Sequence, residues 1–224
     1  MPNYVRNIIR MRGIASEPLF CEGEDGPSFD FSKLVPMPES LNVESGSMTH
    51  DNIVYYLTER CAIPIGGLPP KTKALLEALV RDPLGDPQWP QKIFRRVMTA
   101  AFGETESKKK KRCEMGETYV SNYIKHGAAT WRDWRCNNWG SQWNAGDTLI
   151  ESEDSIRFST AWSDPKPILL KLAERYPDRR IEHWWAGENQ GSNTGYRRLL
   201  GPEMSEELHD CDDEAMRLYD ICWG

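Results

Sequence analysis

Hydrophobic and polar positions change period along the chain. Over residues 3–13 they alternate: Val5, Ile9 and Met11 fall on one face, and Arg6, Ile8, Arg10 and Arg12 on the other. That predicts a strand ended by Gly13, with Asn7 interrupting its apolar face. Residues 14–28 are rich in Gly, Pro and acids and predict a loop. In residues 29–38, Pro36 and Pro38 exclude a regular helix or a central strand and predict an irregular apolar belt. From about 48 to 140 the period becomes helical. Thr49 or Asp51 is positioned to cap a helix carrying Ile53, Tyr56, Leu57 and Arg60. Pro69 and Pro70 open a second with Leu75, Leu76, Leu79 and Val80. A third carries Ile93, Phe94, Val97 and Met98. A fourth runs over 106–125 with Gly127 as its stop, and a short one over 130–138 ends at Gly140.

The last third returns to period two. Residues 148–151 and 156–161 predict a hairpin joined by 152–155. Asp164 is expected to cap a helix that starts at Pro165 and turns Ile168, Leu169, Leu172 and Tyr176 inward. Strands follow over 181–186 and 196–200, with residues 191–195 as the loop between them. Leu208, Cys211, Ala215, Leu218 and Cys222 recur at helical spacing, so 203–222 is expected to be a docked, acidic terminal helix. The order is strand, helices, hairpin, helix, strand, extra strand. It predicts an α+β fold: a ferredoxin-like antiparallel sheet with a large helical insertion in the first crossover and helices on one face. The expected division is one domain over 1–201, with the insertion at about 48–140, and an acidic helix or tail over 202–224.

Composition narrows the function classes. The 224 residues carry 28 Lys and Arg against 34 Asp and Glu, a net charge of −6, with a mean hydropathy of −0.65. This balance argues against generic affinity for nucleic acid. No stretch approaches the length of a membrane span and the start lacks a signal-peptide core, so a cytoplasmic protein that does not touch membranes is expected. The six cysteines form no Cys-x-x-Cys pair and read as buried thiols. His209 and Cys211 do not have zinc-ligand spacing, and no P-loop, Gly-x-Gly-x-x-Gly or Gly-x-Ser-x-Gly is present. No cofactor, metal or catalytic residue is assigned, and a non-enzyme is expected.

Two segments carry candidate chemistry. Four of the nine tryptophans, Trp131, Trp134, Trp139 and Trp143, fall within thirteen residues. The favoured reading is core filling at a seam between insertion and sheet; the other is an aromatic platform for bases or a partner. The basic cluster Lys108, Lys109, Lys110, Lys111 and Arg112, with Arg132 and Arg135 near the tryptophans, is the candidate partner-binding set. A solvated helix start is the simpler reading, and contact with phosphates or an acidic partner the functional one. Seven acids between Glu203 and Glu214 read as a docked or solubilising element rather than as a mimic of nucleic-acid phosphates.

Several motifs together resemble the YubB-like, Api-like proteins with a ferredoxin-like domain. They are Met-Pro-Asn-Tyr-Val-Arg-Asn at 1–7, Phe-Asp-Phe-Ser-Lys-Leu-Val-Pro-Met-Pro-Glu-Ser-Leu at 29–41 and His-Gly-Ala-Ala-Thr-Trp-Arg-Asp-Trp at 126–134. Asn-Trp-Gly-Ser-Gln-Trp-Asn-Ala at 138–145 and Phe-Ser-Thr-Ala-Trp-Ser-Asp-Pro-Lys-Pro at 158–167 follow. The resemblance spans about residues 1–201 and leaves the acidic end outside. It implies the fold and a setting in phages, plasmids or conjugative elements; it supplies no catalytic residue. The expected function is a non-enzymatic accessory protein that binds a host macromolecule, such as an inhibitor of a CRISPR defence. A single-stranded nucleic-acid binder using the basic cluster and aromatic residues is the alternative. The oligomeric state stays open.

Overall fold

A computed structural model of the chain describes residues 3–23, 26–82 and 84–224. Residues 24 and 25 of the expected 14–28 loop, and the first two residues of the opening motif, lie outside the described residues. The chain divides into two compact units: residues 1–37 with 135–224, and residues 38–134.

The first unit is built on a six-stranded antiparallel sheet. In chain order its strands are β1 (Tyr4–Met11), β4 (Gly146–Ser152), β5 (Ser155–Ala161), β6 (Ile181–Gly187), β7 (Thr194–Leu200) and β8 (Glu203–His209). Their order in the sheet is β4-β5-β1-β6-β7-β8. The run β4-β5-β1-β6 places the first strand beside the third and fourth of a β-α-β-β-α-β chain, which is the ferredoxin-like arrangement. The expected α+β fold is therefore present, with β7 and β8 extending it. The alternation in β1 is the reason for its central place. Val5, Asn7, Ile9 and Met11 are buried on one face, and the register sets Ile9 opposite Ile156 and His183 and Asn7 opposite Phe158 and Trp185.

Helix α6 (Lys166–Arg175) buries Ile168, Leu169, Leu172 and Ala173. Its expected cap is not used: Pro165 stands at the N-cap without a side-chain bond, and Asp164 turns to Arg197 instead. The opposite face of the sheet is covered as well, contrary to the one-sided packing expected. Helix α7 (Asp213–Trp223) sets Cys222 and Tyr219 against Ile8, Ala186 and Trp184 there, and Arg6 lies over the Trp223 ring at 4.9 Å. The stretch expected as one terminal helix is thus split. Glu203–His209 joins the sheet because the ladder places Glu206 directly opposite Arg197, and α7 starts only at Asp213, with Asp212 capping Ala215 N–H.

Part of the expected loop is a hairpin, β2 (Phe20–Gly23) with β3 (Gly26–Phe29). It delivers Phe29 and Phe31 to an aromatic cluster with Phe158 and Trp139, ring centroids 5.2–6.0 Å apart. Residues 29–35 of the first motif and the 138–145 motif meet here. Asn144 accepts from Phe31 N–H (2.8 Å) and donates to Asp30 (2.7 Å), and the Trp139 indole N–H donates to the Val35 carbonyl (2.9 Å).

The second unit is helical: α1 (Met48–Leu57), α2 (Pro70–Leu79), α3 (Trp89–Phe102), α4 (Glu106–His126) and the first residues of α5 (Trp131–Trp139). Its core joins Ile53, Val54, Tyr55, Leu76, Ile93, Val97, Tyr119 and Val120. Neither Thr49 nor Asp51 caps α1. Thr49 Oγ1 accepts from Gly46 N–H, and Asp51 lies inside the helix in an ion pair with Arg96. Gly127 ends α4 as expected, at φ 72°. Gly116 lets α1 and α4 touch: a Cβ there would lie 2.3 Å from the Asn52 carbonyl oxygen and 2.5 Å from Tyr56 Cβ. Among the described residues, no helix is long and apolar enough to cross a membrane.

Candidate functional site

The basic cluster occupies the first turns of α4. Thr105 caps that helix, its hydroxyl oxygen accepting from Lys108 N–H. Helical spacing then spreads the five cations around the axis, since positions three and four apart share a face. Residues 108, 111, 112 and 115 face Met48 and Asn52 of α1, 109 faces a second hollow beside Tyr55, and 110 pairs along the helix with Glu114.

Arg112 is buried and structural. Its Nε and Nη2 donate to the two carboxylate oxygens of Glu104 (2.7 and 2.6 Å), and Nη1 donates to Asn52 Oδ1 (3.2 Å). The Arg112 hydrogen bonds, ahead of the opposing effect of burial, hold the Glu104 carboxyl below the usual carboxylate range. The same bonds raise Arg112 further. Lys109 pairs with Glu106 at 2.9 Å and Lys110 with Glu114 at 3.8 Å. Lys108 and Lys111 make no ion pair with a described residue. Both line an open cavity of about 330 Å3, with Met115 beside them on α4 and Glu44, Met48 and Asn52 facing them. Glu104 and Arg112 complete its wall. The Asn52 side chain is buried, its oxygen is taken by Arg112, and its amide Nδ2 finds no acceptor among the described residues.

The residues named from sequence are therefore not one patch. Lys108, Lys111 and Arg112 share this cavity. Lys109 opens on a different hollow of about 360 Å3, with Tyr55, Arg60, Met98 and Phe102. Arg132 is exposed on α5 in the helical unit, whereas Arg135 belongs to the sheet unit. There its guanidinium lies over the Trp139 ring at 4.8 Å, and burial lowers its pKa. Asn52, Glu104 and Glu44 escape prediction from the sequence. The periodicity that puts Asn52 on the inward face of α1, beside Ile53 and Tyr56, was the available signal.

The tryptophans divide in the same way. Trp134, in the helical unit, and Trp139, in the sheet unit, are buried; Trp131 is half-buried; Trp143 is 42% exposed.

A second polar group lies inside the sheet unit. His183 and Asn7 are fully buried and Arg197 is nearly so. Arg197 Nη1 donates to His183 Nδ1 (3.3 Å) and to Asp164 (2.8 Å), and its Nε donates to Glu206 (2.8 Å), which also accepts from Lys166 (2.7 Å). A guanidinium only donates, so His183 Nδ1 is the acceptor and Nε2 carries the hydrogen given to Asn7 Oδ1 (3.0 Å). Asn7 Nδ2 donates to Thr160, whose hydroxyl donates to the Ser163 carbonyl (2.7 Å). The Trp185 ring lies under both His183, stacked at 5.0 Å, and Arg197, at 4.5 Å. Burial first, and the Arg197 charge second, push the His183 pKa well below the usual histidine range. Burial raises Glu206, but its bonds from Lys166 and Arg197 outweigh that and leave it lowered. Two cations and two carboxylates neutralise one another here. Its inner members, Asn7, His183 and Arg197, are closed to solvent and hydrogen-bonded, Lys166, Asp164 and Glu206 reach the surface, and the group fixes strand register. Among the described residues, no three His, Cys, Asp or Glu side chains are grouped to hold a metal ion.

Comparison with known proteins bears on the sheet unit. No curated protein matches the chain. Among solved structures, the crystal structure of a protein api92 from Yersinia pseudotuberculosis is 14% identical, with 93% of this chain and 99% of that chain covered. Its TM-score of 0.35 is too low to transfer geometry. The family model described as ferredoxin-like domain in Api92-like protein matches residues 138–220. That match takes in β8 and most of α7, so it extends past residue 201 into the acidic end. Residues 138–220, which supply five of the strands in the β4-β5-β1-β6-β7-β8 sheet, are thus similar to the ferredoxin-like domain of Api92-like proteins.

Proposed function

We propose that the protein is a non-enzymatic accessory factor of a phage or other mobile genetic element, acting in the bacterial cytoplasm by binding a host protein. Inhibition of a defence system such as a CRISPR effector is the activity proposed for it. The mobile-element setting rests on the resemblance to Api-like proteins. The protein-binding part rests on one observation in the helical unit. Phe102 is 94% exposed, and Met98, one turn earlier on α3, is half exposed beside it. Both border the hollow that Tyr55, Arg60 and Lys109 complete. A bare aromatic beside a hollow rimmed by cations has the composition of a protein-interface anchor. The test combines capture of host proteins on the purified protein with phage and plasmid survival in cells expressing it. Phe102→Asp should abolish both effects while leaving thermal unfolding unchanged. No captured host protein and no effect on survival would end this reading.

The nucleic-acid alternative is favoured by Lys108 and Lys111, the two cations of the cluster without a carboxylate partner among the described residues. It predicts gel shifts with single strands that weaken with salt and on changing those lysines to alanine. Absence of a shift at low salt removes it.

A further inference from the structure

We infer that the cavity between α1 and α4 is a binding site for a peptide carboxylate carrying an apolar neighbour, supplied by a protein partner. The inference deepens the protein-partner reading above and rests on it. Three features of the cavity support it. First, the Asn52 amide lines the cavity with its oxygen already engaged by Arg112 and its Nδ2 donor, which reaches solvent there, without an acceptor among the described residues. A ligand oxygen in the cavity can accept from this open donor in place of water. Second, the Lys108 and Lys111 ammoniums stand on the same wall without ion-pair partners among the described residues, and each supplies further donors. Third, Met48 and Met115 give the cavity an adaptable apolar side.

Charge decides between anions. Lys108, Lys111 and Arg112 face Glu44 and Glu104, which leaves one net positive charge. A single carboxylate neutralises it. A free phosphate dianion overshoots, and a nucleic-acid backbone, with one charge on every successive phosphate, brings further anions toward Glu44 and Glu104 and no apolar group for Met48 and Met115, so it fits less well. The carboxylate can come from an Asp or Glu side group or from the carboxy-terminus of a polypeptide, and both present the same two oxygens.

The test follows the Asn52 side-group amide by NMR on the full-length protein. Probes are acetyl-Leu-Leu-Glu-amide for a glutamate carboxylate, acetyl-Leu-Leu with a free carboxy-terminus for a terminal one, acetyl-Leu-Leu-Gln-amide as the uncharged control, inorganic phosphate and a dodecathymidylate. At least one carboxylate peptide should shift the Asn52 amide, and the glutamine peptide should not. Lys111→Glu should weaken that peptide at least about tenfold, and Lys110→Glu, outside the cavity, should leave it unchanged. The proposal is overturned if neither carboxylate peptide moves the resonance, if the glutamine peptide or the Lys111→Glu variant binds as well, or if phosphate or the oligonucleotide acts at lower concentration. Host-protein capture lost with Phe102→Asp but retained with Lys111→Glu, together with a silent peptide titration, would sink this site and leave the protein-partner reading standing.

Discussion

Arg197 donates to His183 across the β6–β7 ladder, and this bond holds the imidazole neutral at the centre of the sheet unit. A proton on Nδ1 would point at the guanidinium and find no acceptor. The folded state therefore resists a proton that the unfolded chain takes up near pH 6.5.

Stability should therefore depend on pH. The His183 pKa is lowered on folding, so below about pH 6.5 the unfolded chain binds more protons and stability falls as pH falls. The slope approaches about 1.4 kcal/mol per pH unit for one such site. His50, also lowered, chiefly by burial, adds in the same direction. Carboxylates held low, such as Glu206 and Glu104, contribute only below about pH 4.5. Chemical unfolding between pH 7 and 5 should show this loss, and His183→Gln should flatten it. An unchanged slope in the variant would exclude His183 as its source.

Gly116 sets the distance between α1 and α4. Gly116→Ala gains up to about 1 kcal/mol of helix propensity. It also drives a methyl group against the Asn52 carbonyl and Tyr56, an overpacking worth about 1–3 kcal/mol. A net loss of stability is expected by urea unfolding, where the same change at an open helical position would stabilise.

The tryptophan segment should respond unevenly. Trp139 is buried among Phe31 and Phe158 with its indole hydrogen-bonded, and Trp139→Ala should cost about 3–5 kcal/mol. Trp143 is partly exposed, and Trp143→Ala should cost under about 1 kcal/mol. Thermal denaturation of the two variants separates them.

The basic cluster should divide just as sharply. Glu104→Gln leaves Arg112 buried beside a neutral amide and should destabilise by about 3–5 kcal/mol. Lys110→Ala removes a long, exposed pair and should stay within about 0.5 kcal/mol of the native protein. Urea unfolding of the two variants measures the difference.

The alternating and helical periods made most of the architecture legible. Residues 3–13, the 152–155 turn, Gly127 and the inward residues of α6 all follow from local pattern. What escaped was decided by partners distant in sequence. The stretch beginning at Glu203 has helical spacing toward Cys222, yet it pairs as a strand because Arg197 draws Glu206 across the ladder. Asp164 sits where a cap belongs, and the same arginine takes it. Asn7 looked like a flaw in an apolar face; its partners, His183 and Thr160, are more than 150 positions away. The candidate site was half legible. The lysine run marked its location, but periodicity could not show that Arg112 is spent on Glu104 or that Asn52 supplies the open amide.

Cys222 lies at the end of α7, docked over Ile8 and Ala186. Burial pushes its thiol up to about 12, so in that position it has almost no thiolate and no access to reagent. Its alkylation rate is therefore set by how often the terminal helix lifts away. Cys136 and Cys211 are exposed and label without that step. The protein thus contains its own stopwatch for the lifting of α7 from the sheet's second face, read at Cys222 with a thiol reagent.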